Sequence, residues 1–489
     1  MTHSPDDFWQ GRTFDDFLLR PQKGRADSRR NIELSSKLAE DVGIELPIIS
    51  ANMDSVTGYR MAQAMALEGG LGVVHRASSI ERQVEQIRLV KRSRSAVIEH
   101  PLCIPLGTTI GQARAFAHKN NVTGILVVGR GDESNILHGL LSSRDMPWSE
   151  EDDGKLVDEF MTPYDRVVTG KPTISMDEAA RLMFEKRVER LPVVDESRRV
   201  HGLITRKDIR FFRERPLASK DSKGRLRVGA AVGVRGDYLE RAAAVCEAGA
   251  DCLFVDIAHG HSAVMEEAVG RLRRNLGQVP LICGNVATGE GARFMKDIGA
   301  DGIKVGVGPG SGCRTRLETA AGVPQLQAIR EAYLAVGDEV PLVADGGIRY
   351  DKDMFLALVC GASTVMLGGA LSGTEEAPGR VIEDPATGQK RKIYRGMTSP
   401  QAVYEALYDD DENSALESAL LTPAEGQEVQ VPFKGSVGGI LHRIRGHLQS
   451  SVSYVGEVSL EEARKKILPN PERFLIPLSE PSRRESFER

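Results

Sequence analysis

The residues that could do chemistry concentrate in a few short runs. The richest is Gly306-Val307-Gly308-Pro309-Gly310-Ser311-Gly312-Cys313-Arg314-Thr315-Arg316. Four glycines and a proline exclude a helix, so the run is a loop with exposed N–H and C=O groups and one thiol. Arg314 and Arg316 flank that thiol, and nearby cations raise the thiolate fraction of a cysteine. The chemistry implied is nucleophilic addition by Cys313. The other cysteines (Cys103, Cys246, Cys252, Cys283 and Cys360) fall in strand-like or helix-like stretches, where a buried structural thiol is the default. No CxxC pair is present, which favours reduced thiols over a disulfide framework or a zinc site. Two further runs, Asp345-Gly346-Gly347-Ile348-Arg349 and Gly368-Gly369, carry paired glycines that let backbone N–H groups approach an anion closely.

These loops need a frame. Short apolar runs at 46–50, 71–75, 228–233, 252–256, 281–285, 302–305, 342–345 and 364–368 alternate with amphipathic stretches such as 238–248 and 350–359. Continuous apolar strands separated by helices indicate a parallel sheet buried on both faces, and eight such units indicate a (β/α)8 TIM barrel. In that architecture chemistry belongs to the loops after the strands, and phosphate sits after strands seven and eight. Those are the two Gly-Gly loops, which makes phosphate binding the better reading over ordinary tight turns. The Cys313 loop follows strand six.

The composition agrees with a soluble globular chain. The 489 residues are 41% hydrophobic and 27% charged, with 64 Lys+Arg against 69 Asp+Glu and a net charge of −5. A near-neutral, slightly acidic balance argues against a dedicated nucleic-acid or membrane-surface protein. No apolar run is long enough to span a membrane, and Met1 to Asp7 lack the regions of a signal peptide, so a cytoplasmic protein is expected. The polar tail, 480–489, is expected to be without fixed structure.

Between 96 and 216 lies an internal repeat. The first unit contains Ile125-Leu126-Val127-Val128, His138-Gly139-Leu140-Leu141 and Ser142-Ser143-Arg144-Asp145. The second contains Leu191-Pro192-Val193-Val194, His201-Gly202-Leu203-Ile204 and Thr205-Arg206-Lys207-Asp208. Each reads as helix, strand, turn, strand, helix, with the helix disturbed by Met146-Pro147 in the first. The barrel is then discontinuous, 1–96 and 216–489, with units at 97–155 and 156–215 placed in the loop after strand two.

The repeat resembles a pair of CBS modules, or Bateman domain. The resemblance implies regulatory binding of ATP or GTP, with Asp145, Thr205 and Asp208 matching the element that meets nucleotide ribose; an N-cap or surface turn is the alternative role for each Asp. The remainder resembles the IMP dehydrogenase/GMP reductase family across nearly its whole length. The matching motifs are Thr13-Phe14-Asp15-Asp16-Phe17-Leu18-Leu19, Ser50-Ala51-Asn52-Met53-Asp54-Ser55-Val56-Thr57, Gly69-Gly70-Leu71-Gly72-Val73-Val74-His75, the Cys313 loop, Ala344-Asp345-Gly346-Gly347-Ile348-Arg349 and Gly373-Thr374-Glu375-Glu376-Ala377-Pro378-Gly379. The resemblance implies that Cys313 adds to C2 of a purine nucleotide beside a nicotinamide ring, with Thr315 helping to move protons there. It implies nucleotide contacts from Ser50, Met53, Asp345, Gly346, Gly396 and Met397, and a phosphate site from Ser311, Gly347, Gly368, Gly369 and Tyr394. Asp256 matches a residue near the nicotinamide ribose; Ser450 and Tyr454 match residues that reach the cofactor from a neighbouring subunit. The carbonyls of Gly308, Gly310 and Cys313 match a monovalent-cation site, expected to take K+. The family forms homotetramers, and CBS pairs often join tetramers into octamers.

The dehydrogenase oxidises IMP and hydrolyses a covalent intermediate with an Arg from a mobile flap. The reductase converts GMP to IMP and ammonia with a reduced cofactor. Residues 396–433, the segment matching the flap, contain no Arg, Lys or His. They are short and acidic, and Glu425-Gly426-Gln427-Glu428-Val429 together with Ser453-Tyr454-Val455-Gly456 resemble the reductase. The resemblance therefore implies a CBS-containing GMP reductase using NADPH, with NADH or NAD as the alternative cofactor. Three features depart from the reductase pattern. Pro400 stands where it usually has a Glu, for which Gln401 or Glu405 could substitute. Asp256-Ile257-Ala258-His259-Gly260-His261-Ser262 is closer to the dehydrogenase, and Gly312 and Arg314 alter the usual wording beside the cysteine. IMP dehydrogenase and a catalytically weak purine-nucleotide regulator stand as the competing readings.

Overall fold

The computed structural model describes residues 8–93, 98, 101–120, 122–402 and 424–487. The described residues fall into two compact units, one within Met1–Ser93, Leu217–Asp221 and Leu226–Arg489, the other within Arg94–Pro216 and Ser222–Arg225.

The first unit is a closed barrel of eight parallel strands. They are β1 (Ile48–Ser50), β2 (Leu71–Val74), β3 (Gly229–Val232), β4 (Cys252–Asp256), β5 (Leu281–Val286), β6 (Gly302–Val305), β7 (Leu342–Asp345) and β8 (Thr364–Leu367). Nearly every position in them is buried, which is why they read as unbroken apolar runs rather than alternating ones. A helix follows each strand: α1 (Tyr59–Leu67), α2 (Ile80–Ser93), α3 (Tyr238–Glu247), α4 (Ala263–Leu276), α5 (Gly289–Asp297), α6 (Gln325–Val336), α7 (Asp351–Cys360) and α8 (Val437–Val455). The start of α8 is fixed by Glu376, whose carboxylate accepts from the Val437 N–H at 2.8 Å and the Ser436 hydroxyl at 2.7 Å.

The barrel interior is packed with Ile49, Leu71, Val73, Ala231, Phe254, Ile282, Val343 and Met366. A hairpin of Ser36–Ala39 and Val42–Ile44 adds Leu38, Val42 and Ile44 to that cluster. The Leu38 carbonyl approaches Gly302 at the start of β6, so this hairpin closes the end opposite the strand C-termini. Between β8 and α8, Lys390–Arg395 pairs antiparallel with Glu428–Pro432. The acidic run 409–412 and Glu405 lie outside the described residues.

The second unit contains a four-stranded sheet (Cys103–Pro105, Gly124–Val128, Leu137–Ser142, Thr162–Pro163) and a two-stranded one (Arg190–Val194, Val200–Thr205). Each has its own small core, one around Ile125, Val127 and Leu141, the other around Leu191, Val193 and Ile204. Ser175 and Glu178 form a capping box on Met176–Glu185.

Two expectations are corrected. The second unit does not leave directly after strand two: the 14-residue α2 intervenes, its basic last turn at Lys91 and Arg92 suiting a helix C-terminus. The tail is ordered as a helix, Glu480–Phe487, where Arg483 reaches Asp16 at 3.1 Å and Lys352 lies 4.5 Å from the Phe487 ring. Its polar composition concealed these partners, which are remote in sequence.

Lys91 ties α2 to the barrel. Its ammonium is 2.7 Å from Asp251 and 3.1 Å from Asp221, with the lysine side chain 5% exposed. Asp251 also accepts from the Val228 N–H, and burial pushes its carboxyl up. Lys91→Met should lower the unfolding free energy by about 3–5 kcal/mol, because Asp251 keeps a buried charge without its counter-ion. Pairing it with Asp251→Asn should recover part of the loss; denaturant unfolding of the single and double variants measures both.

Candidate active site

The strand C-termini bring the chemically active loops to one rim. β6 ends at Val305, and at the next residue, Gly306, φ is +148° and an added Cβ would fall 2.1 Å from the Asp345 carbonyl oxygen. Only glycine allows the Cys313 loop to pass so close to the end of β7. The loops enclose a cavity of about 1030 Å3, at the upper end for small-ligand sites and roomy enough for more than one small molecule.

Cys313 lines this cavity. Its Sγ is 3.1 Å from the Thr315 hydroxyl, which in turn donates to Glu425 Oε2 at 2.7 Å. A thiol, a hydroxyl and a carboxylate thus form one hydrogen-bonded line along which a proton can pass. The Glu425 segment is held in place by backbone pairing. Arg314 N–H donates to the Glu425 carbonyl, Gln427 N–H to the Gly312 carbonyl, and Gly396 N–H to the Gln427 carbonyl. A Cβ at Gly396 would lie 2.3 Å from the Gly312 carbonyl oxygen, so this three-way contact needs a glycine.

The two expected arginine neighbours act differently from the sequence reading. Arg314 is drawn away to Glu318 at 2.7–2.8 Å, and Arg316 binds the carbonyls of Val307 and Val323. Arg316 remains within electrostatic reach of Cys313, but the thiol's hydrogen-bond partner is Thr315.

On the cavity floor, Lys304 of β6 sits between Asp345 of β7 at 2.7 Å and Asp256 of β4 at 3.1 Å. Burial opposes its charge, but the two carboxylates prevail and raise its pKa. Asn52 donates to Asp256 at 2.6 Å, and Asn285 to Asp345 at 2.9 Å. Asn285 Oδ1 is buried without a partner, an acceptor that a ligand hydroxyl or amide N–H would satisfy.

Ser311, Gly346, Gly347, Gly368, Gly369 and Tyr394 line the same cavity, as do Met53, Met397 and the Gly308–Gly310 stretch. Tyr394 is buried, its phenol pushed up by burial and linked to the Ser311 hydroxyl. The Gly310 carbonyl accepts from the Cys313 N–H at 3.0 Å. Among the described residues no cluster of His, Cys, Asp and Glu could hold a metal ion, so a cation here would have to rely on carbonyl oxygens.

Some expected residues stand elsewhere. Ser50 is fully buried behind the wall, its hydroxyl accepting from Thr57 at 2.8 Å, since it is the last residue of a strand whose neighbours pack on both sides. Ser450 and Tyr454 are on α8, outside the cavity of their own chain; Ser450 donates to the Gly446 carbonyl, and Arg29 stacks 4.9 Å from the Tyr454 ring. In the second unit, Asp145 accepts from the Ser142 N–H and hydroxyl, and Asp208 from those of Thr205. Both carboxylates serve as local caps, and burial raises the Asp208 pKa. Sequence reasoning assigned no role to Glu425, Lys304, Asn52 or Asn285. Lys304 had a signal, a cation inside the apolar run Gly302-Ile303-Lys304-Val305.

A comparison with family models matches residues 11–486 to the IMP dehydrogenase/GMP reductase domain. The chain belongs to this family. It is 42% identical to the inosine-5'-monophosphate dehydrogenase of Aquifex aeolicus, covering 94% of this chain and 92% of that protein. It is 41% identical to the corresponding enzyme of Mycobacterium leprae over 92% and 85% of the two chains. Among solved structures it resembles a GMP reductase from Trypanosoma brucei in complex with guanosine 5'-monophosphate, with 39% identity, a TM-score of 0.82 and coverage of 98% and 97%. The same enzyme in complex with guanosine 5'-triphosphate gives a TM-score of 0.73 at 36% identity, covering 96% and 98%. The protein is thus an oxidoreductase of purine nucleotide metabolism.

The Cys313–Thr315–Glu425 line carries its own test. Glu425→Gln keeps the shape but removes the proton acceptor, and should lower turnover by about 10²–10⁴-fold. Nucleotide binding, measured by calorimetry on the same variant, should persist.

Proposed function

We propose that the protein is a GMP reductase, converting GMP and NADPH with two protons to IMP, NADP and ammonium. The observation that carries this reading is the acid–base equipment beside the thiol. Residues 396–433 contain no Arg, Lys or His to activate a hydrolytic water, whereas Cys313 has a hydroxyl–carboxylate relay suited to protonating a leaving amine. The likeness to the Trypanosoma brucei GMP reductase supports it.

In this mechanism the Cys313 thiolate adds to C2 of the guanine ring. The C2–N bond breaks, and the amine leaves as ammonia with a proton passed from Glu425 through Thr315, giving a thioimidate on Cys313. NADPH, when bound, supplies a hydride to C2. The C2–S bond then breaks, the sulfur takes the electron pair, and IMP is released. Asp345 orients the nucleotide ribose, and Asp256 the cofactor ribose. Ser311, Gly347, Gly368, Gly369 and Tyr394 hold the phosphate, and Met53, Gly346, Gly396 and Met397 border the base and ribose. The carbonyls of Gly308, Gly310 and Cys313 would hold a monovalent cation, and oxygen-only ligation suits K+. The orphaned Asn285 Oδ1 beside Asp345 fits a hydroxyl-bearing ligand.

The second reading, IMP dehydrogenase with NAD, is favoured by the curated relatives at about 40% identity. It would need a water-activating base other than a flap arginine. Absorbance of the reduced cofactor separates the two: consumption with GMP plus NADPH supports the reductase, and formation with IMP plus NAD overturns it. Cys313→Ala should abolish turnover yet still bind GMP.

The repeated unit is proposed to be a CBS pair that binds ATP or GTP and regulates a tetramer or octamer. The complex of the Trypanosoma brucei enzyme with guanosine 5'-triphosphate supports the class of ligand. Asp208→Ala should reduce any shift in melting temperature produced by the nucleotide. An unchanged shift would remove Asp208 from the site.

A further inference from the structure

One lysine spans the two ligand regions of the cavity. Lys304 is 3% exposed, on a strand otherwise composed of Gly302, Ile303 and Val305. Its ammonium reaches Asp345 Oδ2 at 2.7 Å and Asp256 Oδ1 at 3.1 Å, from strands on opposite sides of β5 and β6. Both carboxylates are about a fifth exposed and line the cavity. Their other neighbours are neutral: Asn52 on Asp256, and Asn285 on Asp345. Lysine is otherwise rare at such burial, because an ammonium without counter-ions is expelled from a low-dielectric interior. Here the cost is offset by two acidic groups, each of which the proposed function gives to a different ligand.

We propose that Lys304 is a positioning residue that couples the two halves of the cavity: it holds Asp345 and Asp256 as hydrogen-bond acceptors, so that the purine nucleotide and the nicotinamide cofactor each meet an oriented carboxylate. This rests on the reading of the cavity as taking both ligands, but not on the choice between reductase and dehydrogenase. Without the ammonium, two like charges would face each other across a partly desolvated floor. One would take up a proton and turn from acceptor to donor. The charged groups that face Lys304 are Asp256 and Asp345, while Tyr394 lies within electrostatic reach of both Asp345 and Cys313.

The test is equilibrium binding of GMP, IMP and NADP to the full-length protein, by calorimetry, between about pH 6 and 8. Lys304→Met should weaken nucleotide and cofactor alike, by about tenfold or more, with binding falling further as pH falls. Lys304→Arg should restore both and remove the pH dependence. A milder variant avoids any folding failure of Lys304→Met. With Asp256→Asn the ammonium is left to Asp345 alone, so GMP should bind at least about twofold more weakly although the change lies at the cofactor end. Native affinity for both ligands in Lys304→Met, or loss of one ligand only, overturns the proposal, as does unchanged GMP affinity in Asp256→Asn. If the native protein binds neither ligand, the reading of the cavity fails and the proposal with it.

Discussion

Hydrogen-bond register around the closed barrel is the constraint on which the site depends. Asp256 pairs across to Gly284, Gly284 to Lys304, Lys304 to Val343, and Asp345 to Met366. Slippage at any of these ladders would rotate an inward side chain out of the barrel. The bulge between Gly284 and Val286 adjusts β5 so that Asn285 can reach Asp345. Polar chemistry at the rim is therefore held by apolar packing below it, where Ile282, Val343 and Met366 fill the interior.

That division explains which parts were legible in the sequence. Buried parallel strands leave unbroken apolar runs, so the eight strands could be located within one or two residues of their ends. Loop glycines and the lone loop thiol mark the rim for a similar reason, since their composition fits nothing else. Pairings between distant segments leave no such mark. Glu425 lies 110 positions from Thr315 and reaches it because 425–427 is laid against 312–314 by backbone bonds. The tail helix depends on Asp16 and Lys352, and nothing local announces either contact. Ser50 illustrates the opposite error: a residue in the right motif can still face into packing, one position short of the cavity wall.

The flap region joins these two kinds of information. Its lack of basic residues is a property of composition, visible at once. What replaces them is a property of geometry: a carboxylate delivered through a hydroxyl to the thiol. Together they are the two observations on which the proposed amine-expelling chemistry rests. The sequence relatives and the structural neighbours carry different members' names on the same barrel.

The distribution of thiols has a bearing on how such a molecule ages. Cys252, Cys283 and Cys360 are fully enclosed, and burial pushes the last two up to about 12. Cys103 and Cys246 are pushed up to about 11 by the same cause. Oxidants and electrophiles react with thiolate, so these five are sheltered, whereas Cys313 opens onto the cavity. Oxidation would therefore reach Cys313 first and leave the scaffold standing.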